Sequence, residues 1–344
     1  MRAMAVTDYA KPLELLDLPE PEIKPGYVIL RVLTCGVCFS DYKTSKGLMA
    51  YSSTLPLPHV PGHEICGEVV EAGPETGWQL GDRVVAYHYW SCGRCAYCLK
   101  GLENLCSNLV GWSGFTHHGG FEEYLAVPAD RLLRVPENLA SEHAAPATCA
   151  SGTAYRAVVT RGRLEAGEVA VVIGSGGVGL QAIQFAQLGG AHTLAVDIDA
   201  RKLEAAREFE VAGVALGDEE ARAWVNDFTE GVGADLVVNT VGHETAFAQA
   251  AQLVRRGGRI VGVGYAAGQF ARFDTPSLVL DEIEVIGTRY ALRYEMARVL
   301  GLFGEGKVKA VVDEVLPLEE ANEAFRRLEE GEVVGRTVLR VGEG

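Results

Sequence analysis

Four cysteines within fifteen residues could bind a single metal ion. They are Cys92, Cys95, Cys98 and Cys106, and their spacing is C-x2-C-x2-C-x7-C. Thiolates at such intervals can converge on one tetrahedral ion, and four sulfur ligands with no open position are typical of structural zinc. The alternatives are a disulfide framework, which a long chain without a signal-peptide pattern disfavours, and an iron–sulfur cluster, whose usual C-x3-C-P ligand is absent. The spacing therefore predicts a structural zinc lobe over residues 92–106.

A glycine-rich turn could bind the diphosphate of a dinucleotide. Residues 174–179 (GSGGVG) match G-x-G-x-x-G between a predicted strand and a predicted helix. The first glycine permits a tight turn, the second lets the backbone approach a diphosphate, and the third lets the helix pack on the strand. The free N–H groups and the positive end of the helix dipole then meet the phosphates. The predicted contacts are Gly174, Gly176, Gly177, Val178 and Gly179.

An acidic residue follows the turn at the distance expected for a ribose ligand. Asp197 closes the next predicted strand, eighteen residues after the last glycine. A carboxylate there accepts hydrogen bonds from the ribose hydroxyls and repels a 2′-phosphate, which favours NAD over NADP. The alternative is that Asp197 only caps the following helix. Arg201 and Lys202 keep NADP open as the less favoured cofactor, and Val263 is a further predicted cofactor contact.

The elements that position these residues change character near residue 151. The first 150 residues contain short predicted strands with proline and glycine between them, which indicates a β-rich, barrel-like domain. These strands are Tyr27–Leu33, Ile65–Ala72 and Arg83–Ala86.

From Glu168 onward, apolar strands alternate with helices, which is typical of a doubly wound parallel sheet. The predicted elements here are strands Val169–Ile173, Leu194–Val196, Leu236–Asn239 and Arg259–Val263, and helices Gly177–Leu188, Arg201–Phe209 and Thr245–Val254.

The alternation ends after about Arg289, where the tail is predicted to return to the first domain. Helices are expected near Tyr294–Gly304 and over Leu318–Glu330, followed by a strand, Arg336–Val341. The fold class is therefore α/β: a Rossmann doubly wound domain plus a β-rich catalytic domain. The predicted bounds are 1–150 with 290–344 for the catalytic domain and 151–289 for the nucleotide domain.

Three further motifs carry residues that bind metals. They are Cys35–Asp41 (CGVCFSD), Gly62-His63-Glu64 and Cys149. Each has a plainer interpretation by itself, because buried cysteine is a common core residue and a lone histidine is seldom a ligand. Taken together, in this order around a four-cysteine lobe and before a nucleotide fold, they resemble the zinc-dependent medium-chain dehydrogenase/reductase family. The nearest likeness is to its alcohol dehydrogenases, and their β-rich domain is GroES-like.

The resemblance implies a catalytic zinc site and thus two zinc ions per subunit, one catalytic and one structural. Its three protein ligands would be Cys38, His63 and Cys149, with the fourth position open. Glu64 matches a neighbouring glutamate that could bind the ion transiently, and Asp41 matches the acid that orients the zinc histidine. Cys35 and Cys66 are expected to serve packing only.

The resemblance also implies the reaction. Zinc would lower the pKa of an alcohol, a proton would leave through the Ser40 hydroxyl and end at Lys43, and hydride would pass to the nicotinamide. Relatives carry His or Arg where this chain has Phe39, so one cation at the diphosphate is missing. Arg336 matches a C-terminal arginine on the phosphates, and its alternative is an exposed surface charge.

Aromatic residues suit an apolar alcohol or aldehyde, although aromatic residues in β-rich domains are often simply core. The candidates for the substrate wall are Leu48, Tyr51, Trp112 and the run Tyr87–Trp90. A threonine- or polyol-type zinc dehydrogenase and a non-catalytic NAD-binding relative stay open as alternatives. Polyol enzymes usually have glutamate as the third ligand, where this chain has Cys149.

Composition limits the partners. The 344 residues carry 31 Lys and Arg against 46 Asp and Glu, a net charge of −15, which argues against nucleic acid or an anionic membrane. No apolar run reaches the roughly 20 residues of a spanning helix. We expect a cytoplasmic enzyme with a small-molecule substrate. The resemblance implies a homotetramer or homodimer, paired through Asp281–Gly287.

Overall fold

A computed structural model describes residues 1–49 and 51–342. Its strands are β1 (Arg2–Ala5), β2 (Glu14–Asp17), β3 (Tyr27–Gly36), β4 (Glu64–Ala72), β5 (Arg83–Ala86), β6 (Tyr89–Trp90), β7 (Gly111–Trp112), β8 (Tyr124–Pro128), β9 (Leu132–Arg134), β10 (Val169–Ile173), β11 (His192–Asp197), β12 (Gly213–Leu216), β13 (Ala234–Asn239), β14 (Val254–Gly262), β15 (Glu284–Gly287), β16 (Val312–Pro317) and β17 (Arg336–Arg340).

The α-helices are α1 (Phe39–Ser45), α2 (Ala96–Leu99), α3 (Ser141–Ala144), α4 (Ala150–Tyr155), α5 (Gly177–Leu188), α6 (Ala200–Arg207), α7 (Gly217–Phe228), α8 (Glu244–Leu253), α9 (Thr275–Leu280), α10 (Arg293–Gly304) and α11 (Ala321–Glu329). A π-helical segment, Arg156–Arg161, continues α4. Short 3-10 helices cover Ser52–Thr54, Pro74–Thr76, Glu103–Leu105, Ala129–Arg131, Ala145–Thr148 and Leu318–Glu320.

The chain divides into two compact units. The first takes in Met1–Cys149, Leu292–Gly306 and the chain from Val312 onward. The second takes in Ala150–Ala291 and Lys307–Val311.

The first unit is built on a seven-stranded sheet. Its order is β16-β17-β3-β4-β5-β9, with β8 also paired to β3. β3 is a central strand of this sheet. Its alternate residues Val28, Leu30 and Val32 are all fully buried and form part of the core. Its carboxyl end, together with α1, carries the Cys38 region.

The second unit contains a six-stranded parallel sheet in the order β12-β11-β10-β13-β14-β15. The central strands are apolar along their length, as expected where helices cover both faces of a sheet. Val171, Leu194 and Val237 lie in its core. The strand order reverses between β10 and β13, so the crevice where doubly wound folds bind ligands lies at the carboxyl ends of these two strands.

The predicted elements are found, with two kinds of difference. The bounds of β10 and α5 agree with the prediction, whereas Leu318–Glu330 splits into a 3-10 turn and α11. Elements that were not predicted include the strands β12 and β16 and the helix α7 of the later chain, and most of the short strands and helices of the first 155 residues. Among the described residues, none of the helices is both long and apolar enough to cross a bilayer.

Candidate metal and nucleotide sites

Three segments of the first unit bring metal-binding side chains together. Cys38 precedes α1, His63 and Glu64 lie at the start of β4, and Cys149 follows a 3-10 helix. One ligand atom from each of the four residues lies within 4.8 Å of the others. We call this group the inner cluster. The structure thus brings together the three residues predicted as catalytic zinc ligands and the adjacent glutamate.

A single buried carboxylate, Asp41, holds the inner cluster in place. Its Oδ2 accepts a hydrogen bond from the backbone N–H of Cys38 at 3.0 Å, which also stabilises the start of α1. Its Oδ1 lies 2.7 Å from Nδ1 of His63 and accepts the backbone N–H of Gly62 at 3.2 Å. Because Nδ1 faces Asp41, Nε2 of His63 is the nitrogen left to bind a metal.

The glycine before His63 is required by close packing. Gly62 has φ of +98°, and a Cβ there would lie 2.4 Å from the ring of Phe121. The turn that delivers His63 to the cluster therefore depends on the absence of a side chain at position 62.

The charges in the inner cluster match a site for a cation. A hydrogen bond from Cys149 holds the pKa of the Cys38 thiol well below its usual value, and raises that of Cys149. Burial would lower the pKa of His63, but the charge of Asp41 and its hydrogen bond raise it overall. A dication would deprotonate both thiols and take the place of the proton on His63.

Glu64 and Arg336 form a buried ion pair beside the thiols. The distance from Arg336 Nη2 to Glu64 Oε1 is 3.1 Å, and Arg336 Nη1 donates to the carbonyl of Val37 at 3.2 Å. Arg336 is only 6% exposed, so the alternative of a surface charge is wrong. Burial raises the pKa of Glu64 to about 7, against the effect of Arg336. Neither carboxyl oxygen accepts a hydrogen bond from the described residues, which again fits a neighbouring cation.

The four-cysteine lobe has the geometry of a tetrahedral site. The Sγ atoms of Cys95 and Cys98, and those of Cys92 and Cys106, lie 3.5 Å apart, and those of Cys95 and Cys106 lie 3.9 Å apart. Zinc–sulfur bonds of about 2.3 Å in a tetrahedron place sulfurs about 3.8 Å apart, whereas a disulfide needs about 2 Å. The cysteines are free. We call these four cysteines the lobe cluster, and their donor set fits structural zinc.

An ion-pair network that the sequence did not predict anchors the lobe. Arg131, at the end of a 3-10 helix, donates to the carbonyl and the hydroxyl of Ser91 at 2.9 and 3.0 Å. Arg131 also lies 3.4 Å from Glu103, which pairs with Arg293 at 3.0 Å and accepts the backbone N–H of Arg293 at the start of α10. Both ends of the lobe are thus attached to the same guanidinium. The partners are far apart in sequence, so no local pattern signals them.

Aromatic side chains pack against His63. The ring centroids of His88 and Phe115 lie 4.9 and 4.7 Å from that of His63, and Trp112 packs on Phe115 at 4.1 Å. Tyr51 contacts Trp112 at 5.5 Å. The predicted wall therefore includes Tyr51 and Trp112, and Phe115 is an addition that sequence reasoning missed.

The run from Tyr87 to Trp90 divides between core and wall. Trp90 belongs to the core of the first unit, and Tyr87 is fully buried. His88 faces His63, while Tyr89 stacks on Trp112 at 4.9 Å. Leu48 is 65% exposed.

Helix α1 carries the residues predicted to move the proton. Ser40 is half-buried on its first turn, and its carbonyl accepts the hydroxyl of Thr44 at 2.9 Å. Lys43 Nζ lies 5.3 Å from the ring centroid of Phe39, a cation–π contact. Burial lowers the pKa of Lys43. Phe39 itself is 44% exposed and supplies no charge at the position where relatives have a cation.

The glycine-rich turn of the second unit has the conformation that a diphosphate site needs. Gly174 follows β10 with φ of +90°, and Gly177 and Val178 begin α5. A Cβ on Gly179 would lie 1.7 Å from the carbonyl oxygen of Gly174, so only glycine allows this approach of helix and turn. Around Gly176 nothing lies within 4 Å of a Cβ position, which leaves open backbone beside the helix N-terminus.

Asp197 closes β11, and its carboxylate is fixed against the glycine-rich turn. It accepts backbone N–H groups from Ser175 at 2.7 Å, Ile198 at 2.8 Å and Asp199 at 3.0 Å. The alternative of a helix cap is wrong, because Asp199 caps α6. Asp197 and Gly174 line a cavity of about 640 Å³ together with Ile198, Asp218 and His243. The donor and acceptor set fits an adenosine diphosphate moiety.

The two remaining predicted cofactor contacts of the second unit are Val263 and Lys202. The backbone N–H of Val263 donates to the carbonyl of Asn239 at 2.9 Å, at the carboxyl end of β13. Lys202 lies half-buried in the first turn of α6.

Comparison with known proteins agrees with this picture. Residues 24–137 match the model of the alcohol dehydrogenase GroES-like domain, and residues 177–305 match that of the zinc-binding dehydrogenases. An alcohol dehydrogenase of Geobacillus stearothermophilus is 37% identical over 99% of this chain and its own full length. An NAD-dependent alcohol dehydrogenase of Sulfurisphaera tokodaii is 34% identical over 98% of this chain and 99% of its own.

Solved structures give the same result. The cobalt- and zinc-bound thermostable alcohol dehydrogenase of Pyrobaculum aerophilum has a TM-score of 0.88 at 31% identity, covering 99% of each chain. These matches confirm the predicted fold class, a Rossmann domain with a GroES-like domain. The chain therefore belongs to the zinc-dependent medium-chain dehydrogenase/reductase family.

Proposed function

We propose that this protein is a zinc-dependent, NAD-linked alcohol dehydrogenase that interconverts primary or secondary alcohols with aldehydes or ketones. The observation that carries the proposal is the convergence of Cys38, His63 and Cys149, with His63 oriented by Asp41. The same chain has a glycine-rich turn at the N-terminus of α5. Two cysteines and one histidine leave a fourth tetrahedral position for substrate.

Zinc held by Cys38, His63 and Cys149 would supply a Lewis acid that lowers the pKa of the alcohol. NAD would supply the hydride acceptor. The chain contributes the rest. Asp41 keeps Nε2 of His63 directed at the site, and the Glu64–Arg336 pair balances charge beside the two thiolates.

Ser40 and Lys43 are the groups that we assign to proton transfer. The Ser40 hydroxyl lies two residues beyond Cys38 and can accept the proton of the alcohol while donating its own onward. Lys43, three residues along α1, is the proposed terminus, and its lowered pKa brings a lysine nearer to the pH range where it can exchange a proton.

We assign dinucleotide binding to residues 151–289 and catalysis to 1–150 with 290–344. The glycine-rich turn and the N-terminus of α5 would hold the diphosphate, with Arg336 as an additional cation. Asp197 would accept the ribose hydroxyls. Its carboxylate disfavours a 2′-phosphate, so NAD is the expected cofactor.

The substrate is expected to have an apolar body. Trp112, Phe115 and Tyr51 form a continuous aromatic surface that reaches His63. Such a surface binds alkyl or aryl groups better than polyols.

We further infer a cytoplasmic homotetramer or homodimer. Support for assembly comes from β15, which lies at the edge of the six-stranded sheet with Val285 43% exposed. Exposed strand edges of this kind pair readily with a second copy. Support for the compartment comes from the free cysteines in metal-binding spacing, which need reducing conditions.

The test combines metal analysis with NAD⁺ reduction over a panel of alcohols. Zinc at both sites and turnover on hexanol or benzyl alcohol would support the proposal. Zinc only in the lobe, with no turnover on any alcohol, would contradict it and favour a non-catalytic relative. Preference for small polyols over hexanol would contradict the apolar substrate alone.

A further inference from the structure

The arginine nearest to the predicted ribose site is already bound to a carboxylate. Arg201 donates from Nε to Asp199 Oδ1 at 3.1 Å and from Nη2 to Oδ2 at 2.7 Å. This is a bidentate guanidinium–carboxylate pair, whose two parallel hydrogen bonds add directional specificity to the charge attraction. An arginine at this point of a dinucleotide fold is the group that would otherwise accept a 2′-phosphate.

The position of Asp199 is fixed by the backbone as well. Its Oδ1 accepts the backbone N–H of Arg201 at 2.9 Å and so caps α6. Its own N–H donates to Asp197, the proposed ribose ligand, at 3.0 Å. The hydrogen bond from Arg201 lowers the pKa of Asp199, so its charge is present at neutral pH. Asp199 is therefore a fixed negative charge next to Asp197.

The pair changes the electrostatics of the site. Asp199 neutralises the charge of Arg201. The Arg201 guanidinium is therefore not available to pair with a phosphate next to Asp197. Asp218, which lines the same cavity, adds another carboxylate, and it too is paired, with Arg222 at 3.1 Å. A dianionic 2′-phosphate would therefore meet the charge of Asp197 while both guanidinium groups, Arg201 and Arg222, are bound to carboxylates, and Lys202 is the remaining cation in this turn.

We propose that Asp199 is a specificity-determining residue that excludes 2′-phosphorylated cofactors by holding Arg201. The inference rests on the proposed use of NAD and adds a second residue to the discrimination assigned to Asp197. Discrimination by a group that acts against the wrong ligand is a common device in binding sites. The Arg201 side chain is 59% exposed and that of Asp199 is 20% exposed, so a substitution at Asp199 can remove the pair without disturbing the core.

The experiment uses Asp199→Asn, because asparagine caps a helix about as well as aspartate and removes only the charge. Affinities for NAD⁺, NADP⁺, 5′-ADP and 2′,5′-ADP are measured by calorimetry, so that no turnover is required. We expect the affinity for NADP⁺ and 2′,5′-ADP to rise about fivefold, as for the loss of one repulsive charge at a partly exposed site. Affinity for NAD⁺ and 5′-ADP should stay within about twofold.

The matched control is Glu204→Gln, which removes a carboxylate paired with Arg207 on the same helix and should leave all four affinities unchanged. The double variant Asp199→Asn/Arg201→Ala should lose the gain, and Arg201→Ala alone, which leaves the Asp199 carboxylate uncompensated, should not strengthen NADP⁺ binding. Thermal melting of each variant checks the fold.

Three results would overturn the inference: no gain in Asp199→Asn, a gain that persists in the double variant, or stronger NADP⁺ binding in Arg201→Ala. If the wild type binds neither NAD⁺ nor 5′-ADP, the proposed cofactor is refuted, and the inference with it.

Discussion

The inner cluster and the lobe cluster use the same sulfur chemistry but are built in different ways. The lobe draws its four ligands from one short segment, and its ends are attached to the domain by Arg131. The inner cluster draws on three segments remote in sequence, and Asp41 holds two of them together. Local spacing suffices for a site whose function is stability. A site that needs an open position and an oriented histidine depends on the whole domain.

The largest effect is expected from Cys149→Ser. Loss of one thiolate should empty the inner cluster of zinc and lower kcat for alcohol oxidation by at least about 10³, because several kcal/mol of charge stabilisation disappear. The melting temperature should change little, and the lobe should keep its zinc. Metal analysis measures the zinc content and steady-state kinetics measures turnover. Loss of the lobe zinc in this variant would show that the two metal sites are not independent.

The converse change is Cys95→Ser in the lobe. Metal binding to such a site is part of the folding free energy, so we expect a loss of several kcal/mol of stability. Activity of the protein that stays folded should be retained at low temperature. Denaturant unfolding followed by activity assays on the folded fraction tests this. A stable variant without turnover would show that the lobe takes part in the chemistry.

Acidification should lower the free energy of unfolding through protonation of His59, which lies on the segment that leads to His63. Burial lowers the pKa of His59 to about 4, although Nε2 lies 3.1 Å from the carbonyl of Gly114. Its value in the unfolded chain is about 6.5, so between those pH values only the unfolded state takes up the proton. Stability should therefore fall as the pH drops from about 6.5 to 4, by about 3 kcal/mol, and this contribution is constant above that window.

His59→Gln provides the comparison, since glutamine can still donate to Gly114 and does not titrate. The difference in unfolding free energy between the two proteins should follow that pH window. An identical pH dependence for both would show that His59 protonates without cost to the fold.

The smallest of these effects is expected from Asp41→Asn. The amide keeps the shape but not the charge, and it cannot accept from both Cys38 and His63 with the same strength. We expect zinc affinity of the inner cluster and turnover to fall about 10- to 100-fold, as for other residues that orient a metal-bound histidine. Titration with a zinc chelator measures the affinity, and lobe zinc serves as the internal reference.

The same contrast explains what the sequence could predict. The lobe could be inferred from four cysteines at fixed spacing, and the nucleotide turn from glycines between a strand and a helix. Cys38, His63 and Cys149 could be assigned only through the family resemblance, since spacing carries no signal across separate segments. Strand β12 is too short and glycine-flanked for a periodicity argument, and β16 is half-exposed and charged. Burial of Arg336 against Glu64 depends on the tail returning to the first unit, a tertiary contact.

The network around Arg131 has a consequence for protein engineering. The Arg131 guanidinium donates a hydrogen bond to Ser91, directly before the first lobe cysteine, and pairs with Glu103, close to the last. Residues 91–106 are therefore not a self-contained cassette, even though they contain every ligand. A transplant of this segment into another scaffold would need an arginine from the host that reaches both Ser91 and Glu103. Natural exchange of lobes between proteins would likewise have to carry changes far away in the chain.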